Sequence, residues 1–206
     1  HHIVLNHSTV ELRATVEAYK LLKETGARFL DAPFTGSKDA AAAGELVYYV
    51  GGEADTLDRA RHVLEGSSRE IVPIGRVGEA TLIKIATNMI SAATVEALSE
   101  AYGLVNAAGL NPNVLHGAIE HNACRSALTS MKLPGMIAGD YEPHFSMKNM
   151  FKDSKLALEL ARDYGLEMPV LSTTANVMFR AMQKGHGEKD YSALAIAFQQ
   201  PAPANE

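Results

Sequence analysis

The chain has 206 residues and a formal net charge of −5, an acidic balance that argues against nucleic acid or an anionic membrane as a partner. Its single cysteine, Cys124, excludes an internal disulfide and a paired-cysteine zinc site. A chain without disulfides fits a reducing compartment, so we expect a cytoplasmic protein. The histidines are scattered along the sequence and predict no metal site. No uncharged apolar run approaches the roughly eighteen residues of a membrane-spanning helix, so we expect none.

The first 78 residues alternate between strand-like and helix-like patterns. Apolar runs predict strands over residues 3–5, 27–32, 46–50 and 70–74. A helix is predicted between the first two strands, where Ser8 and Glu11 have the spacing of a capping box and Gly26 is suited to end the helix. A second, amphipathic helix is predicted over residues 53–65. We therefore predict an α/β domain over residues 1–78 with about four strands.

The loop after the second strand contains Thr35, Gly36 and Ser37. A hydroxyl, a glycine and a second hydroxyl in succession allow backbone amides to approach a bound oxyanion closely. An ordinary turn explains the same three residues without any ligand. From these residues alone, the ordinary turn is the favoured interpretation.

A single unbroken helical pattern covers residues 79–108, which at 1.5 Å per residue is a helix roughly 45 Å long. Small and apolar residues occur nearly all round it, so we expect the helix to be buried on several sides, in a helical domain or a subunit interface. Lys84 and Asn88 are four residues apart and therefore share one face. A lysine in so apolar a run either extends its ammonium to water or is held in a cleft as a proton donor, and periodicity alone favours the first.

Helical patterns continue toward the C-terminus, over residues 114–121, 128–137, 151–164, 169–184 and 191–198. Asn111 and Asp190 are predicted to cap two of these helices, and Pro134 is predicted to interrupt another. We therefore predict an all-helical domain over residues 79–199 and a disordered, proline-bearing tail over residues 200–206.

Three segments in chain order resemble the β-hydroxyacid dehydrogenases, namely DAPFTGSKDAAAAGELVYYVGG, GRVGEATLIKIATNM and FSMKNMFKDSKLALELA. This family includes 3-hydroxyisobutyrate dehydrogenase and the glyoxylate and succinic semialdehyde reductases, and the first and third segments look closest to the reductases. The resemblance covers residues 3–198. It implies the second half of a Rossmann-type domain followed by an all-α C-terminal domain built on one long helix. It also implies NADP or NAD as the cofactor, with NADP favoured by the branch.

The resemblance assigns roles to the residues already singled out. Lys84 matches the catalytic lysine, which gives a proton to the carbonyl oxygen as hydride arrives, and Asn88 matches the residue that binds the substrate oxygen and orients the lysine. Thr35, Gly36 and Ser37 match the loop that binds the substrate carboxylate. Many relatives have serine where this chain has Thr35, and we expect binding to survive because the hydroxyl is kept.

Four further residues match positions around the substrate and the cofactor. Phe145 and Asp153 match residues that line the substrate pocket of the reductases, while Thr9 and Lys152 match cofactor contacts. For Phe145 a role as a core aromatic is equally open. For Lys152 and Asp153 the alternative is a solvated pair of charges.

One family feature, the G-x-G-x-x-G turn that holds the cofactor pyrophosphate, is not found in this sequence. We therefore expect the chain to begin inside the second half of the Rossmann domain and to be inactive alone. The first hypothesis is an NAD(P)-dependent oxidoreductase of a small carboxylate-bearing hydroxy acid, aldehyde or oxo acid, of the glyoxylate, succinic semialdehyde or 3-hydroxyisobutyrate type. Such an enzyme is expected to be a homodimer or homotetramer assembled through its helical domain. The alternative is a catalytically silent helical dimerisation module derived from this family.

Overall fold

The computed structural model describes residues 2–199, which form two compact units. The first unit ends at Thr87 and the second begins at Asn88. This division lies inside the long helix Glu79–Ala107, whose first turns belong to the first unit. The predicted disordered tail, residues 200–206, lies outside the described residues.

The first unit is built on a five-stranded sheet. Its strands are β1 (Ile3–Asn6), β2 (Arg28–Asp31), β3 (Phe34–Thr35), β4 (Leu46–Gly51) and β5 (Ser68–Gly75). The strand order is β1-β2-β4-β3, and β5 also pairs with β4. The β1–β2 and β4–β5 pairs are parallel, whereas β2 and β3 each run antiparallel to β4. The sequence predicted four of these strands and missed β3, which has only two residues.

Three helices belong to the sheet unit, α1 (Leu12–Glu24), α2 (Lys38–Ala42) and α3 (Ala54–Glu65). Helix α1 connects the parallel strands β1 and β2, which form a βαβ unit. The predicted capping box is wrong, because α1 begins at Leu12 with Glu11 as its N-cap and without a side-chain cap hydrogen bond. Ser8 instead belongs to a tight turn in which its backbone N–H donates to Asn6 Oδ1 at 3.3 Å.

The second unit is rich in helices. They are α4 (Glu79–Ala107), which starts in the first unit, α5 (Pro112–Glu120), α6 (Ala127–Ala138), α7 (Met147–Asp163), α8 (Pro169–Gln183) and the 3₁₀ helix Tyr191–Phe198. An isolated antiparallel bridge joins Ser146 to Asp190. Within residues 2–199, none of the helices has the length and hydropathy needed to cross a bilayer.

Local signals for the helix ends are mostly confirmed. The Asn111 side chain accepts the Asn113 N–H at the start of α5, and the Asp190 side chain accepts the Ser192 N–H at the start of the 3₁₀ helix. The predicted interruption at Pro134 is wrong, because α6 continues through it. Pro134 is exposed, so the backbone bond that it removes lies on the solvent side of the helix.

A buried carboxyl group, Glu96, lies in the middle of α4 within the second unit. Only 5% of the residue is exposed, and neither of its carboxyl oxygens has a hydrogen-bond partner among residues 2–199. Burial and the neighbouring charge of Glu100 raise the pKa of Glu96 to about 7, although Arg180 on α8 acts in the opposite direction. Ionising this group is therefore unfavourable in the folded protein.

Replacing Glu96 with glutamine is expected to stabilise the protein above pH 7 and to leave its stability at pH 4 unchanged. In the folded chain the proton leaves near pH 7 instead of 4.5, so wild-type stability is complete below pH 4.5 and falls as the pH rises to 7. At about 1.4 kcal/mol per pKa unit, the loss is on the order of 3 kcal/mol. Urea unfolding of both proteins at pH 4, 6 and 8 measures the difference.

The control for this comparison is Glu159→Gln, because Glu159 is an exposed carboxylate on α7. Its unfolding free energy should follow the wild-type value at every pH. Equal stability differences between Glu96→Gln and wild type at pH 4 and pH 8 would show that Glu96 does not titrate between those values.

Candidate active site

The start of helix α4 is held by a carboxylate from the sheet. Asp31, the last residue of β2, is fully buried, and its Oδ2 accepts the N–H groups of Gly78 at 3.0 Å and Thr81 at 2.8 Å. Its Oδ1 accepts the Thr81 hydroxyl at 2.7 Å. Burial raises the pKa of Asp31, while the bonds from Thr81 and Gly78 act to lower it. Asp31 therefore satisfies free amides at the helix start and fixes the first turn, just before Lys84.

The turn that leads into α4 requires its glycines. Gly75 has a φ of +153°, and a Cβ placed there would lie 2.0 Å from Glu79 Oε2. The Glu79 carboxylate needs this space, because it accepts the backbone N–H of Arg76 at 2.8 Å. Gly78 has a φ of +95°, which L side chains rarely adopt. Asp31 and Glu79 together give the helix start two carboxylates, one buried and one at the surface.

Lys84 and Asn88 lie one turn apart in α4, as the sequence predicted. Lys84 is half-buried, between exposed Ile83 and buried Ile85. The Thr87 hydroxyl donates to the Lys84 carbonyl at 3.0 Å, which is a bond within the helix backbone and not to the ammonium. The catalytic role of Lys84 stays a prediction.

In the second unit, three residues predicted from the sequence lie together. Asn88 Nδ2 donates to Asp153 Oδ2 at 2.6 Å, and Lys152 Nζ lies 2.8 Å from Asp153 Oδ1. The second approach is an ion pair without the alignment of a hydrogen bond. Asn88 is 7% exposed and Asp153 only 1%, so a solvated pair of charges is wrong for Asp153, although Lys152 is half exposed. Asp153 thus orients the Asn88 amide by binding its nitrogen.

The predicted carboxylate loop lies between β3 and α2. Thr35 pairs with Val47 in the sheet, and the Ser37 side chain accepts the Ala40 N–H at 3.2 Å as the N-cap of α2. Gly36 has a φ of +135°, and a Cβ there would lie 2.7 Å from Leu46 Cδ2. The loop is therefore an ordered strand-to-helix turn in which Ser37 also has a structural task.

His7, the residue directly after β1, was not predicted from the sequence to have a role. Its Nδ1 lies 2.7 Å from the Ala32 carbonyl oxygen and donates to it. Its ring centroid is 6.2 Å from that of Phe34 and 5.1 Å from that of Tyr48. Because Phe34 directly precedes Thr35, His7 contacts the start of the predicted carboxylate loop. The sequence clue to a role for His7 was its position two residues before Thr9, a predicted cofactor contact.

Phe145 lies in the segment before α7 and is half-buried. Its ring meets that of Tyr191 edge to face, with centroids 6.4 Å apart. It is therefore not a fully buried core aromatic. The first unit thus contains Thr9, Thr35, Gly36, Ser37 and Lys84, and the second contains Asn88, Phe145, Lys152 and Asp153. Helix α4 connects the two sets along the chain.

The predicted cofactor contact Thr9 lies just beyond the carboxyl end of strand β1. In a sheet of this kind, ligands bind beyond the carboxyl ends of parallel strands. The carboxyl end of β1 is followed by His7, Ser8 and half-buried Thr9, and the cofactor contact of Thr9 stays a prediction. The glycine-rich turn for the pyrophosphate is not found in these 206 residues. Within residues 2–199, no group of three His, Cys, Asp or Glu side chains is arranged to hold a metal ion.

The chain thus has a sheet unit with a βαβ motif, then a helix-rich unit, and one long helix with Lys84 and Asn88 that runs from the first into the second. Residues 78–198 match the family described as NAD-binding of NADP-dependent 3-hydroxyisobutyrate dehydrogenase. Residues 1–75 match the NAD binding domain of 6-phosphogluconate dehydrogenase. The chain belongs to the β-hydroxyacid dehydrogenase family, whose cofactor is NAD or NADP, so both predictions are confirmed.

Individual relatives agree with this assignment. The chain is 32% identical to the chloroplastic glyoxylate/succinic semialdehyde reductase 2 of Arabidopsis thaliana, over 93% of this chain and 54% of that protein. It is 30% identical to a probable 3-hydroxyisobutyrate dehydrogenase of Mycobacterium bovis, over 98% of this chain and 71% of that protein. The structure of Mycobacterium tuberculosis 3-hydroxyisobutyrate dehydrogenase with L-serine has a TM-score of 0.88 and 28% identity, covering 96% of this chain and 70% of that one. The chain thus spans little more than half of the plant reductase and about 70% of the two mycobacterial proteins.

Proposed function

We propose that the protein reduces a small aldehyde or oxo acid bearing a carboxylate, or oxidises the corresponding hydroxy acid, with NADPH or NADH as the partner in hydride transfer. Glyoxylate and succinic semialdehyde are the first substrates to test, because the plant relative is named for them. The observation that carries this proposal is the bond from Asn88 to buried Asp153, one helical turn beyond Lys84. A buried amide oriented by a buried carboxylate, one turn beyond a half-buried lysine, is the arrangement that this mechanism requires.

In this mechanism, Lys84 and Asn88 of α4 have separate tasks, and an aspartate supports each of them. The Lys84 ammonium donates a proton to the carbonyl oxygen of the substrate, and in the reverse direction its amine accepts the proton of the alcohol. Asn88 binds the same oxygen, and Asp153 keeps its amide oriented. Asp31 fixes the first turn of the helix, which precedes Lys84. Hydride comes from the reduced nicotinamide when the cofactor is bound.

The remaining residues bind the two reactants. The Thr35 and Ser37 hydroxyls and the Gly36 amide receive the substrate carboxylate, since short polar groups and a bare backbone can surround an anion closely. Phe145 and Asp153 line the substrate pocket, as the family resemblance implies. Thr9 and Lys152 contact the cofactor, Lys152 as a cation suited to its phosphates.

The test is a pair of measurements on the full gene product, with the 206 residues alone measured beside it. Fluorescence titration with NADPH and then NADH reports binding, and oxidation of the bound nucleotide reports turnover. Butanal is the matched control for succinic semialdehyde, because it keeps the chain and aldehyde and lacks the carboxylate. We expect kcat/KM for succinic semialdehyde to exceed that for butanal by about 100-fold or more.

Two outcomes would contradict these expectations. Absence of nucleotide binding and of turnover in the full gene product would end the proposed function. Full turnover by the 206 residues alone would show that the sequence-based expectation of an inactive chain is wrong.

We also propose a homodimer or homotetramer assembled through the helical unit. Ile90, Ala97 and Leu104 recur every seven residues along α4, and all three are exposed. Apolar residues at this spacing form the seam between packed helices. Sedimentation equilibrium at micromolar concentration should therefore report two or four chains, and a monomer would contradict the assembly.

A further inference from the structure

A buried ion pair lies in the second unit, between Lys132 of α6 and Asp190. Lys132 Nζ donates to both carboxylate oxygens of Asp190, at 2.8 Å each. The two side chains are 4% and 3% exposed. The ammonium also lies 4.7 Å from the ring centroid of Tyr191. Taking both charges out of water is costly, and a buried pair of this kind is weak evidence for stability alone.

The Asp190 carboxylate also accepts three backbone amides. Its Oδ2 accepts His144 N–H at 3.0 Å and Phe145 N–H at 3.2 Å, and its Oδ1 accepts Ser192 N–H at 3.0 Å. Burial acts to raise the pKa of Asp190, but the Lys132 ammonium and the Ser192 N–H outweigh it and hold the pKa below its ordinary value. The group is thus an ionised acceptor, which makes stronger bonds to amides than a neutral one.

These bonds hold Phe145 from two sides. Its N–H donates to Asp190, while its carbonyl accepts the Tyr191 N–H at 3.1 Å. Neighbouring bonds, from Asp190 N–H to the Tyr141 carbonyl at 2.9 Å and from Met147 N–H to the Lys189 carbonyl at 2.8 Å, align the two segments on either side. The Phe145 ring itself is half-buried, and its one ring contact among the described residues is the edge-to-face contact with Tyr191, the neighbour of Asp190. The hydrogen bonds that fix Phe145 are therefore all made by its backbone, through Asp190 and Tyr191.

We propose that the Lys132–Asp190 pair positions Phe145 for substrate, so that both members are positioning residues for the reaction. This inference rests on the proposed function, in which Phe145 lines the substrate pocket. Phe145 precedes α7 by two residues, and the same helix carries Lys152 and Asp153. The ammonium keeps Asp190 ionised, the carboxylate holds the His144 and Phe145 amides, and the amides fix where the ring stands.

The first readout is hydrogen exchange, which does not depend on activity. In Asp190→Asn, the amides of residues 144–147 should exchange at least about tenfold faster than in wild type, while those of α8 keep the wild-type rate. The matched control is Glu188→Gln, because Lys148 and Glu188 form an exposed ion pair at 2.7 Å between the same two segments. Exchange in that control should equal the wild-type rate. Unchanged exchange of residues 144–147 in Asp190→Asn would overturn the inference.

A second variant keeps the test decisive if Asp190→Asn does not fold. The double substitution Lys132→Met with Asp190→Leu replaces both charges with apolar groups of similar size, a change that proteins often tolerate. It still leaves the Phe145 amide without its acceptor. We therefore expect a folded protein in which residues 144–147 exchange rapidly. Wild-type exchange in this folded variant would also overturn the inference.

The kinetic readout separates positioning from general support of the fold. Asp190→Asn should raise KM for the acid substrate about tenfold, with kcat and the NADPH dissociation constant within about twofold of wild type. In a Phe145→Ala background the same substitution should add no further increase in KM, because the ring through which it acts is gone. Equal increases in both backgrounds would overturn the inference. Absence of wild-type turnover on every acid would end the proposed function, and hydrogen exchange would then decide the positioning alone.

Discussion

Replacing Lys84 with alanine is expected to lower turnover by about 10²–10⁴-fold while the NADPH dissociation constant stays close to the wild-type value. Proton transfer by a positioned side chain contributes a factor of this size. The substitution removes the proposed proton donor and leaves Asp31, Asn88 and the helix in place, since Lys84 is within α4 and its backbone bonds do not need the side chain. Steady-state kinetics and a fluorescence titration on the same preparation measure both quantities.

Two comparisons make this result specific. Lys155→Ala removes an exposed lysine of α7 and should leave both turnover and binding unchanged. Added primary amines should restore part of the turnover of Lys84→Ala, because a small amine in the vacated space can supply the missing proton. Near-normal turnover in Lys84→Ala without any added amine would remove Lys84 from its role.

Replacing Asp31 with alanine is expected to lower the free energy of unfolding by about 2–4 kcal/mol and to lower turnover as well. The substitution leaves three buried donors without their acceptor, namely the Gly78 N–H, the Thr81 N–H and the Thr81 hydroxyl. Each unpaired buried donor is unfavourable by about 1–3 kcal/mol, reduced where the helix end can shift toward water. The same shift moves the turn that precedes Lys84. Urea unfolding measures the first effect and initial rates the second.

Two other substitutions at the same helix end should lower the free energy of unfolding by smaller amounts. Thr81→Val removes only the hydroxyl that bonds to Asp31 and to Thr15, so we expect a loss of about 1–2 kcal/mol. Glu79→Ala removes a carboxylate that accepts the Arg76 N–H at the surface, and water can replace it, so its effect should be much smaller. Equal losses for Asp31→Ala and Glu79→Ala would show that the buried carboxylate does not anchor the helix.

Helix ends and the long helix were predictable because their signals are local. The pattern over residues 79–108 predicted α4 to within one residue of its observed end at Ala107. Asn111 and Asp190 cap helices through bonds to amides two residues away, so the sequence contains both partners side by side. The same logic failed at Ser8, where Asn6 offers a competing side-chain acceptor and the helix begins later.

Contacts between distant residues were not predictable from pattern. Asp31 lies 50 positions from Thr81, and Asn88 lies 65 positions from Asp153. Strand β3 was not predicted, because a strand of two residues shows no periodicity in the sequence and forms only by pairing with β4. The family resemblance named Asn88 and Asp153 as site residues, yet it did not say that one orients the other. Asp190 was foreseen only as a helix cap, without its lysine partner or the amides of His144 and Phe145.

The continuity of α4 between Lys84 and Asn88 has a consequence for how the site tolerates motion. Four residues of helix separate the two Cα atoms by about 6 Å along the axis, a length set by backbone hydrogen bonds. Bending of the chain elsewhere leaves this spacing unchanged, so the Cα atoms of the proposed proton donor and of the proposed oxygen-binding residue keep their separation. A single inserted residue between them would turn Asn88 about 100° around the helix and separate the two groups onto different faces.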